Sequence, residues 1–299
     1  MPKSRRRKPA SRRPRPSGRP GDPRRADLSP VARAQAFVGE LIKAGDPSDP
    51  LLVTAVPAWF LALLTAGQVP AERCADDCVI LAHAYAQLGL ASQVRAAELT
   101  VADRATGLGQ VFGTRQPCWR NGLLDGHTVL WLPDAGHLVD TTAGQYPPVA
   151  ALHPGPVVTR LACDPADDRR DGYGHDAFTV TIEVASADLH YTLAPLAASS
   201  TVLDHPVMTH EAAGHRRRGG NVAALTVSLL ADHLPSGRSR DIPHPRVAAL
   251  VDAVRSLPRH QTPDGDWRFE VTGPDGTPLA RSLAEVPVPD GTPAAAAWP

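Results

Sequence analysis

Between residues 70 and 142 the spacing of apolar side chains switches from a helical to a strand-like period, and that switch constrains the fold more than any other feature of the chain. Cys74, Cys78, Leu81, Ala82, Tyr85 and Leu88 recur every three or four residues, which marks one buried helix face. Pro70 suits a first helical turn, Glu72 the positive end of the helix dipole, and Gly89 a C-terminal cap. From residue 92 to 101 the pattern alternates, with Val94, Ala96 and Glu98 set against Arg95, Ala97 and Leu99. Two further short strands, over 125–132 and 137–142, flank the turn residues Pro133-Asp134-Ala135-Gly136. A helix followed by a strand and a tight hairpin predicts an α+β fold, a helical layer packed on an antiparallel sheet.

The rest of the chain divides around that core. Residues 1–29 are rich in Pro, Ser, Gly and Arg with almost no apolar residues, so they bury too little surface to offset the entropy of ordering and are predicted to be disordered. The net charge of zero hides an asymmetry. Residues 1–30 carry eleven basic and two acidic side chains, a formal +9, against −9 for the remainder. No apolar stretch follows the arginines, so the segment does not read as a secretion signal. It solubilises the chain or touches its acidic body, and weak contact with nucleic acid or an anionic surface is the other reading. The catalytic-type core is placed at 30–150 and an extension at 151–285, which either continues the sheet or forms a small second unit. A loose end follows at 286–299.

Helices are expected over 30–43, 59–64, 220–234 and 247–257, strands over 178–184 and 190–193, and a hairpin over 267–279. Residues 102–124 read as a long loop with a short element in it. The longest apolar run, 51–66, is interrupted by Pro57 and is too short to span a bilayer. Four cysteines in 299 residues do not make a disulfide framework, which points to a reducing, cytoplasmic setting.

Three of these residues carry a possible chemistry. Cys74 sits near the start of a helix, where unpaired backbone N–H groups favour a thiolate, the reactive form of the side chain. If the turn pairs Leu132 with His137, then Val129 lies opposite Asp140 and His127 opposite Thr142. His127 and Asp140 then share a face as diagonal neighbours, close enough for an imidazole and a carboxylate to meet. A nucleophile on a helix, a base on one strand and an orienting acid on the next follow the triad logic of thiol acyl transfer. Cys78, one turn further in, reads as a small buried hydrophobe. His137 falls on the opposite face from Asp140.

These segments resemble the transglutaminase-like superfamily of cysteine enzymes, related in architecture to papain-like proteases. The resemblance lies in Arg73-Cys74-Ala75-Asp76-Asp77, in Leu88-Gly89-Leu90 fifteen residues after the Cys with Arg95 near the start of the next strand, in Gly126-His127-Thr128-Val129-Leu130-Trp131, and in Leu138-Val139-Asp140-Thr141-Thr142. It covers roughly residues 55–145. It implies a core with the Cys helix packed against a sheet carrying His and Asp, and a Cys74–His127–Asp140 triad acting on a protein or peptide amide through a thioester, by hydrolysis more readily than by cross-linking. Gln68, six residues before the Cys, takes the place of the oxyanion-donating glutamine of papain-like enzymes. No cofactor is implied. Cys74 and Cys78 with Cys118 and Cys163, or His205, His210 and His215, lack the paired close spacing of a structural zinc site, so no metal is expected. The alternative to an enzyme is an inactive binding module of the same fold, recruited by its basic tail.

Overall fold

A computed structural model describes residues 29–66, 73–153, 155–161 and 178–296. The expectations for the leader before Ser29, for Gln68, Pro70 and Glu72, and for Cys163 fall outside these residues.

The first helix, α1 (Pro30–Ala44), starts where Ser29 Oγ accepts the Ala32 N–H at 3.2 Å and Pro30 takes the first position. α2 (Pro50–Leu64) is longer than the 59–64 segment expected. Asp49 caps it, and Pro57 lies inside it rather than ending it. A proline costs a helix one backbone hydrogen bond. One turn before Pro57 the Tyr85 hydroxyl donates to the Thr54 carbonyl at 2.7 Å, tying α2 to α3 (Cys74–Gln87). α3 closes at Gly89, whose φ of +78° is the left-handed conformation that glycine adopts freely.

Strand β1 (Gln93–Asp103) follows and organises the sheet. Residues 102–124, expected to be a loop with a short element, instead hold β2 (Gly109–Gly113), β3 (Cys118–Arg120) and the start of β4 (Leu123–Asp125). β2 pairs with β1, and β3 with β4. β5 (His127–Leu132) and β6 (His137–Asp140) form the expected hairpin, with Leu132 opposite His137 and Leu130 opposite Val139. After a 3-10 turn over Ala143–Gln145 come α4 (Pro147–Leu152), β7 (Val157–Arg160), β8 (Phe178–Val184) and β9 (Ala187–Leu193).

The sheet is antiparallel throughout, in the order β7-β6-β5-β1-β9-β8, with β2 on β1. One edge of β1 holds β9. The other is shared end to end, by β5 over residues 93–97 and by β2 over 98–102. The two strands meet at Gly113, which has φ +71°. A Cβ there would lie 2.7 Å from both the Ala97 carbonyl oxygen and the Cβ of His127. Glycine lets β2 end against the first residue of β5.

The remaining helices are α5 (Leu196–Leu203), α6 (Pro206–His210), α7 (Ala212–His233) and α8 (Pro245–Val254). α7 begins eight residues before the expected 220, so the run His215-Arg216-Arg217-Arg218 lies within the helix rather than before it. A small antiparallel sheet of β10 (Arg259–Gln261), β11 (Trp267–Thr272) and β12 (Pro278–Arg281) follows. Within residues 151–285, β7–β9 extend the first sheet, and β10–β12 make a separate small sheet whose Phe269 packs into the main core.

Alternation along the strands divides the apolar residues between two cores. Leu130, Leu132 and Val139 face a core built from α1, α2, α3, α7 and α8, into which Phe269 and Leu283 also pack. Val129, Leu138, Leu99, Leu189, Tyr191 and Leu193 form a second core, with Val149 of α4. Near the C-terminus, the Pro293 carbonyl accepts from Arg246 at 3.0 Å and the Ala296 N–H donates to Ala86 O at 2.8 Å, which fixes this stretch against the end of α3. Among the described residues no helix is long and apolar enough to cross a membrane. The protein is thus a mixed α+β structure with a helical layer and an antiparallel sheet.

Candidate active site

His127 and Asp140 meet because of the hairpin register. Both side chains are fully buried, and His127 Nε2 lies 2.8 Å from Asp140 Oδ2. The same carboxylate oxygen accepts the Tyr191 hydroxyl at 3.0 Å. Its other oxygen accepts the Thr142 N–H at 2.9 Å and the Thr142 hydroxyl at 3.3 Å. Burial alone would raise the Asp140 pKa, but the His127 ring and the donors from Thr142 and Tyr191 outweigh it and hold the carboxyl below the usual range. Asp140 is therefore an ionised carboxylate with both oxygens engaged.

The imidazole answers to that charge. Burial disfavours a charged ring, yet the Asp140 carboxylate and the nearby Cys74 overcome it and lift the His127 pKa to about 10. With Nε2 committed to Asp140, the other ring nitrogen, Nδ1, faces the side-chain nitrogen of Gln145 at 3.1 Å. Cys74 opens α3, and its thiol lies near enough to the ring to help raise its pKa. Its side chain is buried, at 2 % exposure.

Cys78 is buried as well. Its burial, with the neighbouring Cys74, pushes its thiol well above the ordinary range, so it stays neutral. His137 sits on the helix side of the sheet, where its Nδ1 lies 3.0 Å from Thr54 Oγ1. Burial and the nearby Arg160 lower its pKa to about 4, leaving it uncharged and remote in role from Asp140.

Polar pairs also flank the start of α3. Arg73 pairs with Asp77, whose carboxyl is pushed up to about 7 by burial even with that guanidinium beside it. Asp76 lies 2.6 Å from the buried His215 of α7. Arg95, buried on β1, donates from Nε and Nη2 to the Ala194 carbonyl at 3.1 and 2.8 Å, binding β1 to the chain leaving β9.

Two residues at this site escape a reading of the sequence. Tyr191 lies 51 positions beyond Asp140, and only the pairing of β9 with β1 brings it there. Gln145 places its side-chain nitrogen 3.1 Å from His127 Nδ1. The local signal for it was available: Thr142 is tied back to Asp140, a 3-10 turn follows, and the next amide returns to the imidazole five residues after the acid. Tyr146 then sets its ring edge-on to His127, centroids 5.3 Å apart, and stacks on Phe112 at 4.3 Å. Trp131 is core, while Trp119 donates to the Val202 carbonyl and stacks on His205.

The histidines at 205, 210 and 215 do not converge, since His205 lies on Trp119 and His215 on Asp76. Among the described residues no group of three or more His, Cys, Asp or Glu is placed to hold a metal ion. A buried carboxylate bonded to an imidazole can hold that ring charged and fixed in orientation. None of the family models, curated proteins or solved structures compared with this chain matches it.

Proposed function

We propose that this chain is a cysteine-dependent amide-bond hydrolase or acyl transferase with a transglutaminase-like core. The observation that supports the reading is the fully buried His127–Asp140 pair, with the buried Cys74 at the start of α3 contributing to the raised pKa of the ring. In this reading the thiol's proton already rests on the charged His127 ring, and the Cys74 sulfur attacks the carbonyl carbon of an amide. The tetrahedral intermediate collapses as His127 Nδ1 gives that proton to the leaving nitrogen, which departs as an amine and leaves a thioester on Cys74. Water then attacks the thioester, His127 accepts its proton, and the acid leaves as the sulfur is released beside the recharged ring. An amine in place of water gives cross-linking by the same steps. Asp140 fixes the ring and its charge throughout. The substrate class is a protein or peptide amide. Gln68 as oxyanion donor and the basic tail as a contact for anionic partners remain parts of the proposal.

Iodoacetamide labelling of the purified protein, with mass-spectrometric mapping, tests it. Cys118 is exposed and serves as the ordinary thiol, and Cys78 as the inert one. Cys74 is expected to label despite its burial, and His127→Ala to slow that labelling roughly 10⁴-fold, with Cys118 unchanged. Labelling confined to the other cysteines, or indifferent to His127, contradicts an enzyme. It favours the second reading, an inactive binding module, for which the burial of Cys74 is the supporting observation.

A further inference from the structure

The thiol–imidazole pair is sealed. Cys74 is 2 % exposed and His127 fully buried, while Gln145 and Tyr146 next to them are only half-buried. Both touch the His127 ring, Gln145 at Nδ1 and Tyr146 edge-on. Gln145 does more than cover the site. An imidazole nitrogen has one hydrogen-bonding direction, in the plane of its ring. At His127 Nδ1 that direction is met by the Gln145 side-chain nitrogen at 3.1 Å. Nδ1 is the atom that must give a proton to the leaving nitrogen of an amide. The group beside it is itself a carboxamide, with the size and hydrogen-bonding capacity of the substrate's own functional group. A carboxamide can serve either state of the ring, its N–H turned toward a neutral Nδ1 or its C=O toward Nδ1–H, so it competes for Nδ1 before and after proton transfer.

We propose that Gln145 occupies the leaving-group position as an internal competitor, and that it must swing out before an amide substrate can reach Cys74. The inference rests on the cysteine-enzyme reading above. Gln145 is itself only half-buried. Gly144 beside it is exposed, with nothing within 4 Å of where a Cβ would stand. The neighbouring Tyr146 is held separately by its stack on Phe112. Rotation of one side chain therefore opens the Nδ1 side while the ring, the carboxylate and the covering tyrosine stay in place. Gln145 acts here through His127 and is a positioning residue, one that sets how often the site is open.

The test measures iodoacetamide labelling of Cys74 in the wild type, Gln145→Ala and Gln145→Glu, with Cys118 and Cys78 followed in the same digests. Losing one hydrogen bond to the ring is expected to speed Cys74 labelling roughly three- to tenfold in Gln145→Ala. Gln145→Glu is expected to slow it below the wild type, because a carboxylate at Nδ1 pairs with the imidazolium more strongly than an amide does. Opposite signs in the two variants, with Cys118 and Cys78 unchanged, are the supporting result. Equal or slower labelling in Gln145→Ala, with Cys74 labelled in the wild type, overturns this inference and leaves the enzyme reading standing. A rise in Cys78 labelling alongside Cys74 assigns the effect to loosened packing and also overturns it. Failure of Cys74 to label in all three proteins overturns both.

Discussion

Asp140→Asn is expected to reduce Cys74 labelling by roughly 10³- to 10⁴-fold, the scale on which an orienting carboxylate matters in a triad. The substitution preserves shape and removes charge. Both Asp140 oxygens accept: Oδ2 from His127 and Tyr191, Oδ1 from Thr142. An asparagine can present its oxygen to only one side. Its NH₂ group then meets either the Thr142 N–H or the His127 and Tyr191 donors, and a buried donor is left unsatisfied. That costs about 1–3 kcal/mol of stability, which a urea unfolding curve reads separately from the labelling rate. The loss of reactivity is larger than this stability change can explain, because the folded variant loses the anion that keeps the ring charged. A labelling rate within threefold of the wild type would mean that Asp140 merely secures the hairpin end.

The second large effect concerns packing and holds whatever the protein does. Gly219 of α7 faces α3, and a Cβ there would stand 2.5 Å from His83 Cβ and 2.6 Å from the Ile80 carbonyl oxygen. The carbonyl is backbone and cannot turn aside, so Gly219→Ala must push the two helices apart. Overpacking of this kind costs about 1–3 kcal/mol, against a gain of about 1 kcal/mol from replacing a helical glycine. Gly220→Ala is the control, since its nearest neighbour is the end of the Gln87 side chain at 3.1 Å, which can move. Urea midpoints are expected to fall for Gly219→Ala and to hold or rise for Gly220→Ala. Equal midpoints would contradict a close α3–α7 contact.

The same glycines explain part of what the sequence hides. Gly219 and Gly220 look like a helix start when read locally, yet α7 runs through them because contact with α3 rewards the missing side chain. Pro57 looks like a break, yet α2 continues through it, and its apolar residues Val53, Val56, Ala58, Phe60 and Leu61 are buried on both sides of the proline. β2 looks like loop because four of its five residues are exposed, including Val111, so no buried face imposes a period of two. By contrast α3 and the β5–β6 hairpin were legible: their burial is one-sided or complete, and the turn between the strands fixes the register. The pairing of His127 with Asp140 follows from that register alone. Tyr191 does not, since no local pattern says that β9 will lie beside β1.

An NMR titration of the His127 ring nitrogens tests the central claim most directly, because burial and the Asp140 charge pull that ring in opposite directions. With Asp140 ionised beside it and Cys74 nearby, His127 is expected to remain protonated on both nitrogens at neutral pH and to titrate near pH 10. The midpoint is expected to drop in Asp140→Asn. A midpoint at or below the ordinary value of 6.5 in the wild type would show that burial prevails. The ring would then be neutral beside Cys74 at physiological pH, with no stored proton for a leaving amine.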